Sequence, residues 1–474
     1  MFHDLREFIT AVEKMGELKV VNGADPHLEM GAIDWVAGES AACPMLLYDN
    51  IKGYPAGYRV LSNTLHTPAR MALALGLPTD LDGLDFVGAW KDKVRFDKGP
   101  APVVVKKALF TENVFTGKDI NIRSLPSVFW HEHDGGEYFG TGAITIVRDP
   151  DTGYVNYGIY RLQTHDDSTL LIQAQASNNF STICRKYHQR GQSCPVAVCC
   201  GVDPAIWLAG TFYSVPYGLS EFEVAAHLRG RAVEVVNGDL TGLPIPTTSE
   251  IAIEGEVPPI GEESHIEGPL GEFTGYYSGK AHAAPVIRIK KLMYRNDPIM
   301  AVAPPMKPVP GLYHFGINWR AALIWSDLER AGMSGIKGVW MHGASFTIIS
   351  LQQQYPGHAK QVGLVAATSR NADIVRFIVV LDDDVDPTNL SDVIWAMSTR
   401  CEPEEMNIVR GIYCGIFDPR IPPEMREKGD LTGSRTIIDA CRPYPWRDQF
   451  PLVNEVSPEL RARAREKWGK VLGL

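Results

Sequence analysis

The chain has 474 residues, 45% hydrophobic and 22% charged, with a formal net charge of -10. That length exceeds one ordinary core and implies two or three domains of a globular protein. The acidic balance excludes a nucleic-acid role built on phosphate contacts, and eight cysteines without Cys-x-x-Cys spacing exclude a disulfide framework or a zinc ribbon. The N-terminal residues carry acids and lack an apolar h-region, and no apolar run reaches the length of a membrane span. The expectation is a soluble cytoplasmic protein.

Leu5, Phe8, Ile9 and Val12 fall at helical spacing and predict a surface helix over 4–15 with one buried face. Short strands at 45–48 and 59–61 alternate with helical pieces to about residue 115, a small α/β region whose end is blurred by a Pro/Gly turn at 98–102. From about 140 the pattern changes to strands. Those at 142–147, 156–161 and 169–175 read as an antiparallel meander, and 195–200, 232–236, 250–254 and 285–290 continue it, which points to a barrel or folded sheet. Ser220 and Glu223 have capping-box spacing, so a helix starts there with Glu221 in its first turn, where the helix dipole favours an anion. After about 315 the alternation returns: helix 317–331, strands 336–341 and 345–351, helix 357–368, strand 374–381 and helix 389–398. Ser457 caps a basic helix from Pro458 to the end.

The common nucleotide, zinc-protease and serine-hydrolase motifs are absent. His131 and His133 lack the helical spacing of a zinc pair, and the acidic run 382–386 lacks the glycine and distal glutamate of a calcium hand. The unusual feature is a turn. Glu267 and Glu272 flank Gly268, Pro269, Leu270 and Gly271, residues that break both helix and strand and can bring two acids to one side. By itself it reads either as an acidic surface hairpin or as backbone closely approached by a ligand.

Together with Asn156 and Arg161, five residues apart, and with the segments 131–136, 201–205, 219–223, 357–362 and 393–396, this turn resembles the UbiD-like decarboxylases over essentially the whole chain. The resemblance implies an α/β multidomain protein: an N-terminal α/β domain (1–115), a central split β-barrel that binds prenylated FMN (116–310), a C-terminal α/β domain (311–455) and a terminal helix (456–474) that contacts a partner subunit in a homodimer or higher oligomer. It implies a reversible non-oxidative decarboxylase of an aromatic or heteroaromatic acid, with prenylated FMN as covalent electron sink and a flavin prenyltransferase as its supplier. A flavin-binding or assembly subunit without activity of its own is the alternative.

By the same resemblance Arg161, Glu267 and Glu272 form the catalytic network, with Glu272 as proton donor, Arg161 orienting it and Glu267 holding Arg161. Thr141, Asn156, Gly158, Ile159, Tyr160, Arg161, Ala209, Gly210, Thr211, Glu221 and Arg376 match flavin-site positions. The flavin phosphate is held by a potassium ion and a divalent ion, manganese or alternatively magnesium, with Asn156 and Glu221 as ligands. Asn179, with Asn178 as next candidate, stands where the family has a histidine; a carboxamide oxygen is a hard ligand suited to magnesium or manganese. Arg376 stands where a lysine often faces the phosphate and keeps a permanent charge. Tyr313 and His314 fall in a segment that contributes substrate contacts.

Overall fold

A computed structural model describes residues 2–40, 42–94, 97–175, 178–212, 214–277, 279–307 and 317–473. Tyr313 and His314 lie outside the described residues.

The first helix, Leu5–Lys14, buries the four apolar residues that predict it, and Asp4 caps it by accepting a hydrogen bond from Glu7 N. Among the described residues the strands form four sheets. The N-terminal one has the order Leu18–Asn22, Met45–Asp49, Arg59–Ser62 and Ile299–Ala301, so a strand from far along the chain completes it. The C-terminal one has the order Ile336–His342, Phe346–Leu351, Phe377–Asp382, Thr432–Ala440 and Asn407–Tyr413, with helices Ile317–Arg330, His358–Thr368 and Leu390–Arg400 packed on it.

The central sheet positions the site. Its path runs Tyr138–Gly140, Leu162–Thr164, Thr169–Ile172, His282–Tyr294, Ile251–Val257, Cys194–Cys200, Ile144–Arg148 and Val155–Ile159. Ile144–Arg148 and Val155–Ile159 form the expected hairpin, but the expected meander stops there. The strand at 156–161 ends at Ile159, and Thr169–Ile172 pairs with Leu162–Thr164 and His282–Tyr294 instead. The hairpin and Leu162–Thr164 therefore lie near opposite ends of the path, although only Tyr160 and Arg161 separate them in sequence. The sheet has to curl to let two residues make that crossing.

Residues 209–211 are the last turn of helix Pro204–Thr211, which Asp203 caps through Ala205 N and Ile206 N. Strands Asn407–Tyr413 and Thr432–Ala440 fill the stretch beyond 398 that had no assignment. The terminal helix Pro458–Leu472 has its Ser457 cap, and leaves Leu460, Trp468, Val471 and Leu472 exposed.

Candidate active site

Glu267 ends the short strand Ser264–Glu267, which pairs antiparallel with the start of His282–Tyr294. The chain then turns through Gly268, whose φ of +77° suits glycine, and returns Glu272 to the same guanidinium. Arg161 Nε donates to Glu267 Oε1 and Nη2 to Glu267 Oε2, both at 2.8 Å, while Nη1 donates to Glu272. The Tyr138 hydroxyl adds a hydrogen bond to Glu267 Oε1 at 2.9 Å. Glu267 is thus fully engaged, whereas Glu272 has a single contact to the cation it shares. Burial pushes the Glu272 carboxyl up to about 7 against the pull of Arg161, and the Glu267 carboxylate adds to the rise.

The segment after His131 braces this turn. Asp134 accepts from His131 N at 2.8 Å and from Gly271 N at 3.1 Å, Gly135 N donates to Pro269 O at 2.7 Å, and Gly268 N donates to Gln163 Oε1 at 2.9 Å. A Cβ on Gly135 would lie 1.9 Å from Gly268 O, so only glycine allows the two backbones to approach this closely. Among the described residues no three His, Cys, Asp or Glu side chains group as metal ligands; His131 joins the brace through its backbone N–H, and His133 packs edge-on against Tyr277.

A second polar node lies at the other end of the hairpin strand. Glu221 accepts from Asn156 Nδ2 at 2.7 Å and from Tyr157 N at 2.9 Å, on the first turn of helix Glu221–Arg229, whose capping box is formed by Ser220 and Glu223. Burial pushes the Glu221 carboxyl up to about 8, and Asn156 Oδ1 is buried with no hydrogen-bond partner. An oxygen without a donor beside a carboxyl without a counter-charge fits a cation. The Tyr154 hydroxyl touches both Asn156 Nδ2, at 3.4 Å, and the Asn179 side chain. Asn178 instead caps helix Asn179–His188 by accepting from Ser181 N at 2.8 Å. His188, at the far end of that helix, is bonded to Val257 O at 3.1 Å.

Between the central and C-terminal sheets lies a cavity of about 270 Å³. Of the residues named from sequence, Thr141, Ile159, Tyr160, Arg161, Gly210, Thr211, Glu272 and Asn178 line it. Asn156, Gly158, Asn179, Ala209, Glu221 and Glu267 do not line it, and a Cβ on Gly158 would come within 3.0 Å of the Tyr160 hydroxyl. Arg376 does not line it; its guanidinium is ion-paired with Asp418 and donates to Ser434 O at 3.0 Å. The sequence pattern missed Gln173, Trp207, Phe273, Trp319, Arg320 and Phe417 in the lining. Arg320 brings a second cation, paired with Asp373, and the aromatic rings give the apolar walls suited to flat ring systems.

The chain matches the family models of 3-octaprenyl-4-hydroxybenzoate carboxy-lyase: the UbiD N-terminal domain over 9–90, the Rift-related domain over 103–308 and the C-terminal domain over 313–440. It is 33% identical over 424 residues to the phenolic acid decarboxylase of Bacillus subtilis (strain 168), covering 86% of this chain and 87% of that one. It is 32% identical over 455 residues to the phenolic acid decarboxylase of Streptomyces sp. (strain D7), covering 93% and 92%. The vanillic acid decarboxylase of Sedimentibacter hydroxybenzoicus, in an open form, superposes with a TM-score of 0.84 at 27% identity over 100% of both chains. A UbiD-class enzyme of Pelotomaculum thermopropionicum in complex with FMN gives 0.82 at 26% identity over 97% and 98%. With its three family domains in order along one chain, the protein belongs to the UbiD family of carboxy-lyases.

Proposed function

We propose that this protein is a reversible, non-oxidative decarboxylase of an aromatic or heteroaromatic acid, with prenylated FMN as cofactor. The observation that carries the reading is Arg161 held between Glu267 and Glu272 at the wall of an aromatic-lined cavity. Family membership and the FMN bound by the Pelotomaculum thermopropionicum enzyme support the cofactor class. Prenylated FMN, when bound, supplies the electron sink for loss of carbon dioxide. Glu272, protonated up to about pH 7, delivers a proton to the carbon that has lost its carboxylate. Arg161 holds Glu272 at the cavity wall, and Glu267 with Tyr138 fixes Arg161.

Thr141, Gly158, Ile159, Tyr160 and Arg161 would hold the flavin, with Ala209, Gly210 and Thr211 at the end of their helix toward its phosphate. Asn156, Glu221 and Asn179 would take the divalent ion, manganese or magnesium, and a potassium ion would complete the phosphate site. The orphaned Asn156 Oδ1 and the uncompensated Glu221 support that donor set. Arg376 would exchange Asp418 for the phosphate, and Tyr313 and His314 would contribute substrate contacts. The curled central sheet, crossed by two residues between Ile159 and Leu162, supports a split barrel within 116–310, between α/β domains at 1–115 and 311–455. The exposed apolar residues of the last helix support a homodimer contact through 456–474. Among the described residues no helix is long and apolar enough to cross a membrane, and a cytoplasmic enzyme supplied by a flavin prenyltransferase is the matching reading.

The test is to produce the chain with and without a flavin prenyltransferase and to measure flavin absorbance and carbon dioxide release on a panel of aryl acids. Release that depends on the prenyltransferase is expected. A cofactor-loaded protein that releases and exchanges no carbon dioxide with any of them would overturn the decarboxylase and favour a flavin-carrying subunit.

A further inference from the structure

One neutral polar group of the cavity has no part in this scheme. Gln173 follows the strand Thr169–Ile172, donates its backbone N–H to Arg161 O at 3.2 Å and lines the cavity. Its side-chain Oε1 lies 2.6 Å from His282 Nε2. His282 stands directly across the ladder from Glu267. Its Nδ1 lies 3.2 Å from Lys280 O and 3.9 Å from Glu267 Oε2. The side chain is 41% exposed, so the ring is open to solvent.

The atoms facing both ring nitrogens are oxygens. Lys280 O accepts only, so Nδ1 carries a hydrogen in either charge state. When the ring is a cation, Nε2 also donates; it then holds Gln173 Oε1 and leaves the amide NH2 for the cavity. When the ring is neutral, Nε2 is an acceptor. The Gln173 amide then reverses to donate to it, which turns the carboxamide oxygen to the cavity. The charged groups facing the ring are Glu267 on the neighbouring strand and, behind it, Arg161. The Gln173 strand presents no charge to it, and Lys280 on its own approach segment is exposed.

We propose that His282 is a positioning residue that sets which end of the Gln173 carboxamide faces the substrate, and so selects among aryl acids by their ring substituents. With the ring cationic the cavity offers a donor, which suits substituents that only accept, such as a methoxy group. With the ring neutral it offers an acceptor, which suits a hydroxyl donor. The substrate class in this statement rests on the decarboxylase reading; the His282–Gln173 coupling does not.

The coupling is tested on the full cofactor-free chain labelled with ¹⁵N-histidine and ¹⁵N-glutamine, with His282 identified by its loss in His282→Gln. On deprotonation the ring is expected to keep its proton on Nδ1, and the Gln173 side-chain amide signal to shift with the same midpoint. A proton left on Nε2, or a Gln173 signal indifferent to that midpoint, overturns the inference. In the loaded enzyme, kcat/KM is compared for a methoxy-substituted aryl acid and its ethyl isostere. The methoxy preference is expected to fall about fivefold as pH rises through the His282 midpoint, the scale of one hydrogen bond. In His282→Lys, a permanent donor, the low-pH preference should persist, and in His282→Phe it should be small at every pH. A wild-type preference that stays constant while both acids turn over overturns the selection and leaves the decarboxylase standing. Failure of every aryl acid to turn over, with the expected spectra, overturns the decarboxylase reading alone.

Discussion

Arg161 grips Glu267 through two nitrogens at 2.8 Å each and spares one for Glu272. That unequal division leaves the two carboxyls in different surroundings. Glu267 is engaged by three donors including Tyr138, and Glu272 is the one left to titrate at the cavity wall.

Replacing Arg161 by lysine tests this division. An ammonium is a point charge and cannot make the forked contact that Arg161 makes. Arg161→Lys is expected to fold, as judged by circular dichroism, and to lower kcat by about 10²-fold, the low end of the range for a misplaced acid–base group. Turnover within a few-fold of wild type would mean that the forked geometry is dispensable.

The metal binding proposed for the Asn156–Glu221 node would carry a defined proton linkage. Burial holds the Glu221 carboxyl protonated to about pH 8 in the cofactor-free protein, so a divalent ion must displace that proton. Calorimetry in buffers of different ionisation heat should find close to one proton released per manganese below pH 8, with apparent affinity rising up to that pH. Glu221→Gln should abolish the release and weaken binding by about 100-fold or more, and Asn179→His should shift selectivity from magnesium toward softer ions. Unchanged selectivity in Asn179→His would remove that residue from the ligand set.

Asp34 offers a stability test away from the cavity. It is buried on helix Glu29–Glu39, accepts from Ser62 Oγ at 2.5 Å, and burial pushes its carboxyl from 3.8 up to about 7. The folded chain therefore keeps this proton after the unfolded chain has lost it. Stability from this group is full below pH 3.8 and declines as pH rises through 7. Asp34→Asn keeps an acceptor for Ser62 and cannot ionise. Thermal melts should show the variant gaining on wild type as pH rises, by on the order of 4 kcal/mol between acid pH and pH 8. A difference that does not change with pH would mean that Asp34 does not titrate in the folded chain.

The elements that were legible in the sequence are those whose signal is local. Leu5, Phe8, Ile9 and Val12 declare a helix by spacing, and Ser220 and Glu223 declare one by their caps. Strand Asn407–Tyr413 was hidden because Gly411, at φ +68°, shifts the register between Arg410 and Ile412 and breaks the alternation. Its partner Thr432–Ala440 was hidden by a buried arginine. Arg435 reads as a surface residue until its hydrogen bonds to Val375 O, Tyr413 O and Ala367 O are seen. The acids of the turn and their arginine were legible by motif, but the aromatic and cationic lining was not. Trp207, Trp319 and Arg320 sit on two helices more than a hundred residues apart, and only tertiary packing brings them to one cavity.

The pH profile of carbon dioxide release by loaded wild-type and Glu272→Gln enzyme decides whether Glu272 is the proton donor. Wild-type kcat/KM is expected to be level at low pH and to fall as pH rises through about 7, as the Glu272 proton is lost. Glu272→Gln is expected to be about 10²-fold or more slower with flavin content unchanged. A Glu272→Gln enzyme that keeps near-wild-type turnover and the same fall above neutral pH would rule Glu272 out as the donor.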